Sequence, residues 1–337
     1  MAICSTSAEM TAQRSRGVGL IGCGRIGEKR AAALPDGCAL HAAHDVNRQS
    51  AESLARRFSA AVSNNSDELL ARDDIDTVVI ATTHDHLAQL AVTALERGKH
   101  VFVEKPGGRN LDELRLIHQA AERTGLVAAV GFNHRFHPAI TQAKAIIDSG
   151  ECGRLLWLRG RYGHGGRLGY EREWRASRAL SGGGELLDQG CHLIDLTMHL
   201  CGTAELDYAR LTTSFWPMEV EDNAFLALRL AGGATAWLHV SWTEWRNLFS
   251  LEIALEKAKL EVGGLGGSYG TEVLVVHRMK PEMGPPTTTR TEFAAADDSW
   301  RLELLDFIAR IEGRTSIGAD LPSSVAVHEI IAEAYRR

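Results

Sequence analysis

Asp188 and His192 lie four residues apart in the stretch Gly182-Gly183-Gly184-Glu185-Leu186-Leu187-Asp188-Gln189-Gly190-Cys191-His192. The stretch reads as a glycine-broken turn running into a helix, and that spacing stacks a carboxylate and an imidazole on one helical face. Asp195 and His199 extend the same polar line, whereas Leu186, Leu187, Cys191, Leu193, Ile194, Leu196, Met198 and Leu200 make the rest apolar. A helix apolar nearly all round is predicted to be buried. Its polar stripe must then meet a cleft or a partner, since unpaired buried charges are strongly disfavoured. Titratable groups in a cleft suit proton transfer; a hydrogen-bonded core Asp/His pair is the alternative. With no HExxH and no cysteine cluster, no metal site is expected.

The other informative region is near the start. Gly17 to Ile21 reads as a short apolar strand, followed by Gly22-Cys23-Gly24-Arg25-Ile26-Gly27 and a helix to about Leu34. A second strand, Ala39 to Ala43, ends just before Asp45. Strand, GxGxxG, helix, strand and acid together are the pattern of a dinucleotide-binding unit. Gly22 permits the tight turn, Gly24 lets the backbone approach a pyrophosphate, and Gly27 lets helix and strand pack closely. The predicted cofactor contacts here are Gly22, Gly24, Arg25, Ile26, Gly27 and Asp45. Asp45 can bond both ribose hydroxyls and would repel a 2′-phosphate, which favours NAD over NADP; Arg48 keeps NADP as an alternative.

These residues need a scaffold. Helical and strand patterns alternate from residue 16 to about 131, which implies a parallel, doubly wound sheet with its ligand at the strands' C-terminal ends. Two landmarks fall at such ends, Glu104-Lys105-Pro106-Gly107-Gly108 and Gly131-Phe132-Asn133-His134-Arg135-Phe136. Later strands follow one another through short turns (Leu206 to Phe215, Asn223 to Leu230, Thr235 to Ser241, Phe249 to Leu255, Ala258 to Val262), which suggests an antiparallel sheet. Pro281 to Thr289 reads as an exposed loop, and Ser299 to Arg310 and Pro322 to Arg336 as helices. The predicted division is a flexible tail over 1–15, a Rossmann α/β domain over 16–135, and an α+β domain with an open, mainly antiparallel sheet over 136–337.

At 337 residues, 45% apolar and 24% charged, the composition is that of a globular enzyme. A net charge of −6 argues against a nucleic-acid or acidic-membrane partner. Six scattered cysteines without a CxxC pair suggest reduced thiols in a cytoplasmic protein. From Arg154 to Arg178 there are seven arginines against two glutamates, interleaved with glycines and aromatics. Arginine forks suit phosphate, so a phosphorylated or nucleotide-activated sugar is the expected substrate class. Arginines paired with Glu171 and Glu173 are the alternative. Arg135, Tyr162, Arg167, Trp174 and Arg175, with Asp188 and His192, are the predicted substrate contacts.

The GCGRIG turn, Gly98-Lys99-His100-Val101 leading into Glu104-Lys105-Pro106, GFNHRF, and GGGELLDQGCHLID together resemble the glucose–fructose oxidoreductase/inositol dehydrogenase/rhizopine-catabolism (Gfo/Idh/MocA) family of nicotinamide-dependent oxidoreductases. The resemblance implies a catalytic Lys105 on a cis peptide to Pro106, a substrate-binding or proton-relaying Asp188, and His192 as general base. It also implies a subunit interface on the open sheet, hence a homodimer or homotetramer. Where relatives carry Thr-Pro and a later His, this chain has Thr82-Thr83-His84-Asp85-His86, so Thr82, His84 and His86 stand in as cofactor contacts, with Glu104 and Asn133. The function this implies is an NAD-dependent dehydrogenase of a sugar hydroxyl or a cyclitol. A redox-neutral, NAD-retaining lyase or glycosidase and a nucleotide-sensing regulator are the competing readings.

Overall fold

The computed structural model describes residues 15–337; the expected tail lies, apart from Ser15, outside the described residues. Strands β1 (Arg16–Ile21), β2 (Cys38–His44), β3 (Ala61–Val62), β4 (Thr77–Ile80), β5 (His100–Glu104) and β6 (Ala128–Gly131) form one sheet. Its order is β3-β2-β1-β4-β5-β6, and every pairing is parallel. Strand β4 is buried at all its positions, as a sheet covered by helices on both faces requires. Strand order reverses between β1 and β4, which opens a crevice at their C-terminal ends. Local signals set the helix bounds. Leu111–Thr124 starts where the Asn110 side chain accepts the Glu113 N–H and stops at Gly125, whose φ is 67°.

A second sheet is built from β7 (Leu155–Gly163), β8 (Ala204–Thr212), β9 (Asn223–Leu230), β10 (Thr235–Ser241), β11 (Leu248–Leu255), β12 (Ala258–Gly263), β13 (Glu272–Arg278) and β14 (Thr287–Phe293), in the order β14-β13-β12-β11-β7-β10-β9-β8. It is mixed but mainly antiparallel: β7 and β10 run parallel at its centre. The predicted loop over Pro281 to Thr289 is corrected at its end, because Thr287 already pairs in the edge strand β14. That strand is mostly exposed, so no buried face marked it. The helix Pro138–Asp148 and strand β13 were not expected from the sequence either. Helix Cys191–Cys201 lies on β7 and β10, and its buried side chains join the main core.

The end of the chain returns to the first sheet. Helix Ser299–Ile311 packs on helix Arg25–Ala32, and helix Leu321–Arg336 packs on Leu111–Thr124. Three buried polar ties hold this return, and each engages a predicted site residue. Glu104, predicted as a cofactor contact, accepts through one carboxylate oxygen from the fully buried Arg30. The same guanidinium meets Glu303 at 2.8 Å and lies 4.5 Å from the Phe102 ring and 4.3 Å from the Trp300 ring. One cation thus faces two carboxyls, and burial pushes Glu303 up to about 8 despite Arg30. Asn133, predicted as a cofactor contact, donates to Ser299 Oγ at 2.8 Å. Arg135 grips Asp195 with a two-pronged contact, Nε to Oδ2 at 2.9 Å, and reaches the Ile317 carbonyl at 3.1 Å, so its donors are not free for substrate.

Removing one partner of a buried charge group leaves the other uncompensated. Arg30→Met is expected to cost about 3–5 kcal/mol of folding stability, measured by urea denaturation. A loss below about 1 kcal/mol would mean the two carboxyls do not depend on it.

Candidate active site

The glycine turn has the shape a dinucleotide needs. A Cβ on Gly22 (φ +96°) would sit 2.4 Å from the Ala81 carbonyl oxygen, and one on Gly27 would sit 1.9 Å from the Gly22 carbonyl oxygen. Gly24 has nothing within 4 Å of a Cβ position, leaving open space at the start of helix Arg25–Ala32. The first amides of a helix lack intrahelical partners, so Arg25, Ile26 and Gly27 offer N–H groups and the positive dipole end to a pyrophosphate. Asp45 is bound into this turn. Its Oδ2 accepts from Cys23 N and its Oδ1 from Asn47 N, both at 2.7 Å. Arg48 is held by Glu52 at 2.9 Å and Asn64 at 2.8 Å, so it is not poised for a 2′-phosphate.

Beyond β4, Thr82 bonds the next carbonyl at 3.1 Å and His86 is an exposed ring beside Asp85. His84, predicted as a cofactor contact, is tied into the protein. It is buried, with Nδ1 2.9 Å from the Ser181 carbonyl oxygen and its ring edge-on to Trp174 at 4.7 Å. Burial pulls it down to about 4, so it docks the two halves as a neutral ring.

Lys105 follows the C-terminal end of β5 on a cis peptide to Pro106. The Pro106 carbonyl accepts from His328 Nε2 at 2.7 Å, a contact from the last helix that the sequence reading missed. Lys105 Nζ donates to the Asp188 carbonyl oxygen at 2.7 Å and to the Asp188 carboxylate. The second carboxylate oxygen accepts from Arg175 Nε at 3.2 Å. Burial alone would lower Lys105 and raise Asp188. The Asp188 carboxylate outweighs it and raises Lys105, while Lys105 and Arg175 hold Asp188 well below the usual carboxylate range. An ammonium and a carboxylate therefore coexist in the cleft.

Asp188 belongs to a single π turn, Leu186–Gly190, ahead of the α-helix Cys191–Cys201. Such a turn is wider than an α turn and is frequent at functional sites. The predicted polar stripe is accordingly divided: Asp188 faces Lys105 and Arg175, His192 faces other rings, and Asp195 is taken by Arg135. His192 is buried with no partner at Nδ1. Its ring lies 3.9 Å from that of His134, with Phe132 edge-on at 5.6 Å and Tyr162 at 6.2 Å. Burial, then the nearby Lys105 charge, push it well below its ordinary value. It is a neutral imidazole able to take a proton.

Sequence reasoning named Asn133 and Arg135 and passed over His134, although all three lie in one 3₁₀ turn, Asn133–Phe136. Successive residues there point different ways, and only the middle imidazole reaches His192. Tyr162 is buried against His134 at 5.3 Å. Trp174 carries the Arg175 guanidinium 4.4 Å over its ring. Arg167 stands at the rim, its side chain 67% exposed and paired with Glu173 at 2.6 Å.

Comparisons with known proteins bear on the family and the fold. Residues 16–132 match the oxidoreductase family with NAD-binding Rossmann fold, and residues 140–261 match the GFO/IDH/MocA C-terminal domain. The chain is 31% identical to the scyllo-inositol 2-dehydrogenase (NAD(+)) of Bacillus subtilis, over 93% of this chain and 91% of that protein. It is 30% identical to the levoglucosan dehydrogenase of Pseudarthrobacter phenanthrenivorans, over 56% of this chain and 55% of that one. Matches thus span about half the length of some curated relatives and nearly all of others. A levoglucosan dehydrogenase solved in complex with NADH shares the fold at a TM-score of 0.84 and 24% identity, covering 95% of this chain and 97% of that one. Both halves match in order, and identity is sustained along almost the whole chain: this protein belongs to the Gfo/Idh/MocA oxidoreductase family.

Proposed function

We propose that the chain is an NAD-dependent dehydrogenase that oxidises a secondary hydroxyl of a neutral sugar or cyclitol. The convergence of Lys105, Asp188 and His192 beside the crevice of the Rossmann sheet carries this reading. A bound NAD supplies the hydride acceptor. The chain's own residues do the rest. His192, neutral by burial, takes the hydroxyl proton through a ring nitrogen. Lys105 holds the substrate oxygen and stabilises its growing negative charge. Asp188 fixes Lys105 in place and keeps it protonated. Tyr162 and His134 wall the imidazole.

The expected phosphate specificity loses support. Arg167 is paired with Glu173, Arg172 with Glu171 at 3.4 Å, and Arg175 with Asp188, so these forks already have carboxylate partners inside the chain. That favours a substrate with hydroxyls over one with a phosphate. The outward face of the second sheet bears exposed Trp157, Tyr208 and Trp237, the last two stacked at 11°. This supports the expected homo-oligomer through that face.

Wild-type protein incubated with NAD and levoglucosan, scyllo-inositol, D-glucose and glucose 6-phosphate should form NADH with a neutral member of the set. Turnover confined to the phosphate ester would reverse the substrate assignment. Lys105→Met should lower kcat by about 10²–10³, and His192→Ala by about 10²–10⁴, with circular dichroism showing intact folds. Asp45→Ser should narrow the preference for NAD over NADP by roughly tenfold or more, because it removes a charge repelling the 2′-phosphate. Equal preference in variant and wild type would remove Asp45 from that role.

A further inference from the structure

Glu185 opens the π turn and has no assigned part in the chemistry. It is 0% exposed, and both carboxyl oxygens are buried without any hydrogen-bond partner. Such a group is rare in a folded protein and calls for a reason. Its surroundings are crowded with ionisable groups. On its own turn stands Asp188, and Lys105 and Arg175 reach that carboxylate from the Rossmann sheet and from the arginine-rich segment. Behind the turn lies Glu221, whose Oε1 accepts from Gly184 N at 3.0 Å, Leu186 N at 3.1 Å and the Tyr335 hydroxyl at 2.8 Å. The phenols of Tyr162, Tyr170 and Tyr269 lie within reach of its charge, and burial raises all three. Gln189, one turn on, leaves its carbonyl oxygen buried and unpartnered too.

The local charge count gives this carboxyl a meaning. Two cations, Lys105 and Arg175, meet one carboxylate, Asp188. Among these three groups in direct contact one positive charge is left over, Glu221 lies apart on backbone amides and the Tyr335 hydroxyl, and His84, His134 and His192 are held neutral by burial. A substrate alkoxide develops one negative charge. We propose that Glu185 is a positioning residue that preserves this surplus by working as an un-ionised carboxyl; its ionisation would cancel the charge that meets the alkoxide. The proposal rests on the dehydrogenase reading and adds to it a pH limit set by a residue that does not touch the reacting atoms. Burial, reinforced by Asp188, raises Glu185 well above the ordinary glutamate range, consistent with that state.

The sign of the linkage makes this testable without substrate. A carboxyl whose folded value is raised contributes stability that is full below its unfolded value and is lost as pH rises towards the folded one. Glu185→Gln cannot ionise and has no such loss. The difference in Tm, variant minus wild type, should therefore grow by on the order of 2 °C or more between about pH 6 and pH 9. Glu303, also buried, contributes equally to both proteins and drops out of the difference. With the sugar that yields NADH, the alkaline limb of kcat should move up by about one pH unit or more in Glu185→Gln. A Tm difference independent of pH, or an alkaline limb shared by variant and wild type, overturns the role of Glu185 alone. No NADH from wild type with any sugar overturns the dehydrogenase reading, and this role with it.

Discussion

Lys105 brings an ammonium group into a cleft where burial disfavours its charge, and the Asp188 carboxylate outweighs that and favours it. The rest of the site is arranged around that contact. Lys105 comes from the end of a parallel strand and Asp188 from a turn that lies on the second sheet, so the bond also fixes how the two halves meet. Buried ion pairs are stable only when geometry and extra hydrogen bonds offset the loss of hydration. Here the extra bonds are present: the Asp188 carbonyl takes a second Lys105 proton, and Arg175 takes the second carboxylate oxygen.

Around this pair the structure separates roles by environment. His192 and Lys105 sit in one cleft, yet burial leaves the imidazole neutral and the ammonium charged. The difference is the partner, since Lys105 has a carboxylate and His192 has only rings and an unpartnered nitrogen. A base and an electrostatic stabiliser are thereby made from two groups that would both be cationic in acid. Glu185 extends the same logic to a carboxyl buried without any hydrogen-bond partner.

Much of the scaffold was legible in the chain. Helix Leu111–Thr124 and strands Asn223–Leu230 and Thr235–Ser241 fall where capping residues, glycines and alternation put them. These are local signals, carried by a few neighbouring residues. Strand β14 and helix Pro138–Asp148 escaped because one is mostly exposed and the other follows a short 3₁₀ turn without a separating loop. The site divides in the same way. Lys105, Asp188, His192 and the glycine turn were marked by motif and spacing. Glu104, Asn133 and Arg135 lay in the same motifs, but their partners Arg30, Ser299 and Asp195 are 74, 166 and 60 residues away in sequence.

By itself, then, the chain's order of residues determined which chemical groups are present, the Rossmann unit with its glycine turn, and the family to which the motifs point. Those depend on short-range spacing and backbone freedom. Only the tertiary structure decided which polar groups remain free for substrate. A guanidinium or carboxyl looks the same in sequence whether it faces solvent or a buried counter-charge, and that difference is created by contacts between distant segments. The single surplus charge in the cleft is such a property: it belongs to no residue, and exists only once Lys105, Arg175, Asp188 and Glu185 are packed together.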